Sequence, residues 1–143
     1  MDKIKVLFVC IHNSARSQMA EAYLKKYAHD KVLAESAGLE PGKLNPIVVE
    51  VMKEDGIDIS NNKTNSVFDF YKAGKLYDYV IAVCDKSAEE RCPIFPRVSE
   101  KLHWPFPDPS GLTGTYEEKL QNTREIRDQI KTKIQEWVKE IIQ

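Results

Sequence analysis

Eight residues near the start of the chain have the types and spacing to do chemistry: Cys10-Ile11-His12-Asn13-Ser14-Ala15-Arg16-Ser17. A thiol is followed, after five intervening residues, by a guanidinium and then a hydroxyl. A strand, a tight loop and a helix N-terminus bring several backbone N–H groups around one point, and these donors with the helix dipole favour an anion. Arg16 adds a planar fork of donors suited to two oxygens of a tetrahedral oxyanion. The same field favours the thiolate of Cys10, the form of cysteine that attacks electrophiles. Ser17 is placed to donate to that sulfur, and Asn13 tolerates the left-handed backbone a tight loop needs. Cys10 is therefore the candidate nucleophile, and Ile11, His12, Asn13, Ser14, Ala15, Arg16 and Ser17 are the candidate oxyanion-binding residues. No Gly-x-x-x-x-Gly-Lys-Ser/Thr run occurs, so this is not a nucleotide loop.

The flanking pattern supplies the elements that must position the loop. Residues 4–9, nearly all apolar and rich in β-branched types, suit a central strand covered on both faces. A helix is expected from residue 14 to about residue 29, with Met19, Ala20, Tyr23, Leu24 and Tyr27 on one face. Residues 31–36 read as a short strand, and Asn45-Pro46 opens a helix that ends near Asp55-Gly56. A short helix at 67–73, a strong strand at 77–83 and a weaker one at 98–104 follow. Residues 105–114, with three prolines and two glycines, read as loop, and an amphipathic helix begins at Thr115. Its charges, Arg124 and Arg127 among them, read as a solvated face. Alternating strands and helices predict one α/β domain over residues 1–143: a three-layer fold with a four-stranded parallel sheet and helices on both faces. Sites in such sheets lie beyond the carboxyl ends of the strands. Cys10, Cys84 and Asp108 each follow a predicted strand, so all three are expected at one edge.

Cys84 and Cys92 bound a charged segment, Cys84-Asp85-Lys86-Ser87-Ala88-Glu89-Glu90-Arg91-Cys92. Three readings stand side by side. The two are unrelated thiols; or the three cysteines with His12 or His103 ligate a metal, although no Cys-x2-Cys knuckle is present; or they form a redox pair, with Lys86 and Arg91 favouring thiolates and the loop rearranging to close a disulfide.

Bulk properties bound the partners. The net charge of −1 argues against nucleic acid or an anionic membrane as the main partner. The apolar run at 6–11 is far too short to span a bilayer, and no signal-like segment precedes it. A cytosolic protein is expected, compatible with a monomer, in which an odd count of three cysteines is not a disulfide framework.

The motif Cys10-x-x-Asn13-Ser14-x-Arg16-Ser17-Gln18-Met19-Ala20-Glu21-Ala22 closely resembles the thioredoxin-coupled arsenate reductases, which share the low-molecular-weight protein tyrosine phosphatase fold. Further matches are Ser36-Ala37-Gly38, Asn45-Pro46, Gly56-Ile57-Asp58-Ile59-Ser60, the segment from Val83-Cys84 to Cys92-Pro93, and His103-Trp104-x-Phe106-x-Asp108-Pro109. The phosphatases share the Asp-Pro but follow it with tyrosines, where this chain has Ser110-Gly111, and they lack the Cys84/Cys92 pair. The resemblance implies reduction of arsenate to arsenite. In that scheme Cys10 forms a thiol–arsenic adduct held by the loop and Arg16, and Asp108 is the acid. Cys84 attacks Cys10, Cys92 attacks Cys84, and thioredoxin reduces the resulting Cys84–Cys92 disulfide. No cofactor is required. Some relatives bind potassium beside the loop, and Asn13, Glu21 and Ser36 match that site. The chain departs from the family in having Ala15 where some relatives carry a cysteine, and its Cys84–Cys92 spacing looks one residue longer. The alternative is a phosphomonoesterase acting on phosphotyrosine-like substrates. A third class is a non-enzymatic anion-binding or phosphocarrier module, which has no need of Cys84, Cys92 and Asp108 together.

Overall fold

The computed structural model describes residues 3–142, so residues 1, 2 and 143 of the expected domain lie outside the described residues. Four parallel strands, β1 (Ile4–Cys10), β2 (Val32–Gly38), β3 (Tyr79–Ala82) and β4 (Glu100–His103), form one sheet in the order β2-β1-β3-β4. Five helices accompany them: α1 (Arg16–Ala28), α2 (Pro46–Glu54), α3 (Val67–Lys72), α4 (Lys86–Glu89) and α5 (Tyr116–Ile141). The α/β architecture expected from the alternation is the one observed.

Every residue of β1 from Val6 to Cys10 is buried, so both of its faces are covered, as its unbroken apolar run requires. Helices α1 and α5 pack on each other, α2 joins α5, α3 lies against β2 and α4 against β1. Phe8 meets Trp104, which in turn meets Trp137 of α5 edge-on. The chain leaves β1 for β2 on one side and returns to β3 on the other. The carboxyl end of β1 is therefore the point where the strand order reverses, the place where open α/β sheets bind ligands. Register aligns that edge: Cys10 pairs with Gly38, and Ala82 with His103.

Several boundaries differ from the sequence expectation. Helix α1 starts at Arg16 rather than at residue 14, because Ser14 and Ala15 remain in the loop. Strand β2 runs on to Gly38, since its ladder with β1 continues as far as Cys10. Strands β3 and β4 are shorter than expected, and Tyr77 packs edge-on against Phe95 instead of extending β3. The loop at 105–114 contains a 3-10 turn at Pro109–Gly111, capped by the Asp108 carboxylate on Ser110 N–H. Arg124 and Arg127 are not a solvated face. Both grip Glu54 at the end of α2, and Arg127 also donates to the Val51 carbonyl at 2.8 Å. No helix among the described residues is long and apolar enough to cross a membrane.

Ile130 and Ile134 of α5 are fully buried. Replacing Ile130 by Ala should cost about 2–5 kcal/mol of folding free energy, measurable as a lower denaturation midpoint at unchanged slope.

Candidate active site

The loop at 11–15 is built by turning its carbonyls outward. Leu39 N–H donates to Cys10 O at 3.1 Å, Glu40 N–H to Ile11 O at 2.8 Å, Gly42 N–H to His12 O at 3.0 Å and Asn45 N–H to Ser14 O at 3.0 Å. Gln18 Nε2 takes Asn13 O at 3.0 Å, and Met19 N–H takes Ala15 O at 3.0 Å. With six successive carbonyls engaged on the outside, the loop's N–H groups are the backbone dipoles left for the space above Cys10, as an oxyanion cradle requires. Gly38 allows this close approach: a Cβ there would lie 2.7 Å from Asn13 N and from Ile11 O.

Asn13 holds the expected left-handed backbone, with φ of 55°. Its N–H points at Cys10 Sγ, 3.1 Å away. Its amide is oriented by its neighbours. Oδ1 accepts from Asn65 N–H at 2.9 Å, so Nδ2 donates to Ser17 Oγ at 2.8 Å and to Ser36 Oγ at 2.9 Å. Ser17 Oγ, which accepts from Asn13 Nδ2, lies 2.8 Å from Cys10 Sγ, and its own proton is free to point at the sulfur. The sulfur thus sits between two hydrogen-bond donors.

Arg16 is buried at the first position of α1. Its Nη1 donates to Phe106 O at 3.1 Å and its Nη2 lies 3.6 Å from Asp108 Oδ2. Asp108 is half-exposed, one oxygen holding the 3-10 turn and the other facing Arg16. The residue expected as acid therefore stands beside the residue expected to clamp the oxyanion. Cys84 follows β3 and is fully buried. Burial and the nearby Cys10 charge push its thiol up to about 11, with Arg16 pulling the other way. Cys10, Arg16, Cys84 and Asp108 are thus gathered at one sheet edge.

Cys92 is not exposed to that group; burial pushes its thiol up to about 11, while Lys101 opposes and Glu89 adds to the rise. The expectation that Lys86 and Arg91 favour thiolates at Cys84 and Cys92 is therefore corrected: burial raises both thiols, and the opposing cations are Arg16 at Cys84 and Lys101 at Cys92. Arg91 is spent on Glu40, at 2.9 Å. The segment is also not a loop, because Asp85 caps the helix α4 within it through Ala88 N–H and the Ser87 hydroxyl. All three cysteines are free thiols. The metal reading fails, since the described residues contain no cluster of three or more His, Cys, Asp or Glu side chains able to hold an ion. His12 Nδ1 instead donates to Glu40 O at 2.8 Å, and His103 Nε2 to Cys84 O at 2.6 Å.

Asn13, Glu21 and Ser36 do come together, as a hydrogen-bonded chain. Ser36 Oγ donates to Glu21 Oε1 at 2.6 Å, and the Lys25 ammonium lies 2.6 Å from Glu21 Oε2. Potassium needs oxygen ligands, yet Asn13 turns its nitrogen to this group and a cation is already on Glu21. The set as arranged does not fit potassium.

Sequence reasoning missed Gln18, which is buried. Its amide also bonds Lys63 O and accepts from Asn62 Nδ2, tying residues 62–65 to the loop. It missed the Glu40–Arg91 pair as well. A polar residue on the apolar face of α1 was the available signal for Gln18.

A buried thiol under two donors, an N–H cradle at a helix start and an arginine–aspartate pair stand together at this sheet edge. The chain belongs to the low molecular weight phosphotyrosine protein phosphatase family, which it matches over residues 5–143. An arsenate reductase of Halalkalibacterium halodurans is 42% identical over 134 residues, 94% of each chain. A solved arsenate reductase in its phosphate binding state superposes with a TM-score of 0.79 at 31% identity, covering 96% of this chain and 98% of that one. A thioredoxin-dependent arsenate reductase of Corynebacterium glutamicum superposes with a TM-score of 0.62 at 30% identity, over 93% of this chain and 62% of that one.

Two measurements test the site. Gly38→Ala should force the loop backbone to shift, costing roughly 1–3 kcal/mol and weakening phosphate binding in titration calorimetry; wild-type affinity would count against the cradle. Because Cys84 and Cys92 stay neutral in the fold up to about pH 11 and ionise from about 9 when unfolded, stability falls as pH rises from about 9 to about 11. Cys92→Ala should flatten that fall in denaturation curves taken across the window.

Proposed function

We propose that the chain reduces arsenate to arsenite by a three-thiol relay re-reduced by thioredoxin. The observation that carries the reading is Cys84, a second thiol buried beside the Cys10–Arg16 pair and within reach of both charges. The Cys10 thiolate attacks arsenic, forming a sulfur–arsenic bond, and an arsenate oxygen leaves as water after taking a proton from Asp108. Cys84, deprotonated as it attacks, then displaces arsenic from Cys10 Sγ. The sulfur–arsenic electron pair departs with arsenic, which leaves as arsenite, while the two sulfurs join as a disulfide. Cys92 attacks Cys84 and returns Cys10 as thiolate, and an external dithiol reduces the Cys84–Cys92 disulfide.

The last exchange comes with a conformational change. Cys84 and Cys92 are separate, buried free thiols on either side of helix α4 (Lys86–Glu89), and a disulfide needs their Cα atoms within roughly 4–7 Å. In this scheme α4 unwinds for Cys92 to meet Cys84. The names of the relatives support arsenate as the substrate, and the Corynebacterium protein supports thioredoxin as reductant. Free thiols that depend on such a carrier belong in the cytosol. Hydrolysis of phosphomonoesters is the competing reading, favoured by the family match. It needs only the loop, Arg16 and Asp108, and gives the buried Cys84 no task.

The deciding assay is arsenate-dependent NADPH oxidation with thioredoxin and thioredoxin reductase, followed by mass-spectrometric mapping of a Cys84–Cys92 disulfide. Cys10→Ser should abolish turnover. Cys84→Ser and Cys92→Ser should each stop multiple turnover while sparing hydrolysis of p-nitrophenyl phosphate; normal cycling by both would remove the relay. Asp108→Asn should slow the first chemical step by about 10²-fold or more in single-turnover kinetics.

A further inference from the structure

The relay asks two opposite things of one stretch of chain. Cys84 must stay fixed over Cys10, while the helix beginning two residues later must let go. One side chain holds the fixed part. His103 ends β4, half-buried, and its position is set by the ladder: it pairs with Ala82, and the next residue, Trp104, donates its N–H to Ala82 O at 2.8 Å. Its Nε2 lies 2.6 Å from the Cys84 carbonyl oxygen. A carbonyl only accepts, so Nε2 carries the proton and the tautomer is assigned by that partner. The other nitrogen, Nδ1, then carries no proton, and at 3.9 Å from Glu89 Oε2 it makes no hydrogen bond to α4. The imidazole is thus tied to the backbone of the second nucleophile and leaves α4 free to move.

We propose that His103 is a positioning residue for the relay: its Nε2–H, donated to the Cys84 carbonyl, fixes the backbone that carries the second thiol. The consequence for catalysis rests on the relay reading, whereas the pin itself does not. Cys84 keeps this hydrogen bond while the segment beyond it rearranges.

The test separates pin from chemistry. Hydrogen exchange of the full-length reduced protein is followed at the Val83 and Trp104 amides, which bond Val9 O and Ala82 O beside the pinned carbonyl, and, for reference, in α5. His103→Leu should speed exchange at Val83 and Trp104 by about fivefold, the loss expected for one hydrogen bond, with α5 unchanged. His103→Gln keeps an amide N–H near the position of Nε2 and should restore most of the Cys84 contact. In a Cys92→Ser background with arsenate, formation of the Cys10–Cys84 disulfide should then slow about fivefold in His103→Leu and recover in His103→Gln. Wild-type exchange at Val83 and Trp104 in His103→Leu, loosening spread equally through α5, or no rescue by His103→Gln overturns the proposal. If the parent protein makes no Cys10–Cys84 disulfide with arsenate, the relay reading falls, and the exchange data still decide the role of His103.

Discussion

Everything in this site depends on where six carbonyls point. A tight loop of consecutive peptides presents as many negative ends as positive ones, and an anion is held only if the negative ends are turned away and satisfied elsewhere. Here the segment after β2 supplies four of the outward partners, one buried glutamine a fifth and the first turn of α1 the sixth. The cradle is therefore not a property of the loop's own residues. It exists because β2 ends on a glycine whose missing Cβ lets the loop lie against the chain that follows.

Around that frame, the three thiols sit in different electrical surroundings. Cys10 has two hydrogen-bond donors at its sulfur and Arg16 nearby. Cys84 and Cys92 receive neither benefit in full, and desolvation keeps both protonated at neutral pH. One sulfur is surrounded by donors, and two are shielded from solvent. The same burial that silences them makes a conformational change part of any reaction they enter.

The sheet and the long helices were legible in the sequence because their signals are local: a nearly all-apolar strand at residues 4–9, Asn45 with Pro46 opening α2, and an amphipathic pattern beginning at Thr115 for α5. The reactive loop was legible for the same reason, and the strand-end rule brought Cys84 and Asp108 to it. What sequence could not supply was the balance between local charge and burial. Lys86 and Arg91 stand beside the cysteines in the chain, yet Arg91 turns to Glu40, and the segment winds into a helix that hides both sulfurs. The outward partners of the loop carbonyls were equally hidden, since a backbone N–H leaves no mark on residue identity.

Residues 62–65, Asn-Lys-Thr-Asn, read as an unremarkable polar connector between α2 and α3. Yet Asn65 N–H sets the Asn13 amide, Asn13 sets Ser17, and Ser17 serves the Cys10 sulfur; Asn62 and Lys63 meanwhile hold Gln18, which secures the Asn13 carbonyl. The connector thus acts as a length gauge for a reactive atom more than fifty positions earlier. Surface connectors of this kind ordinarily absorb insertions and deletions without penalty. Here a residue added or lost within 62–65 would displace the groups that set Asn13 and Gln18, and with them the hydroxyl beside the Cys10 sulfur.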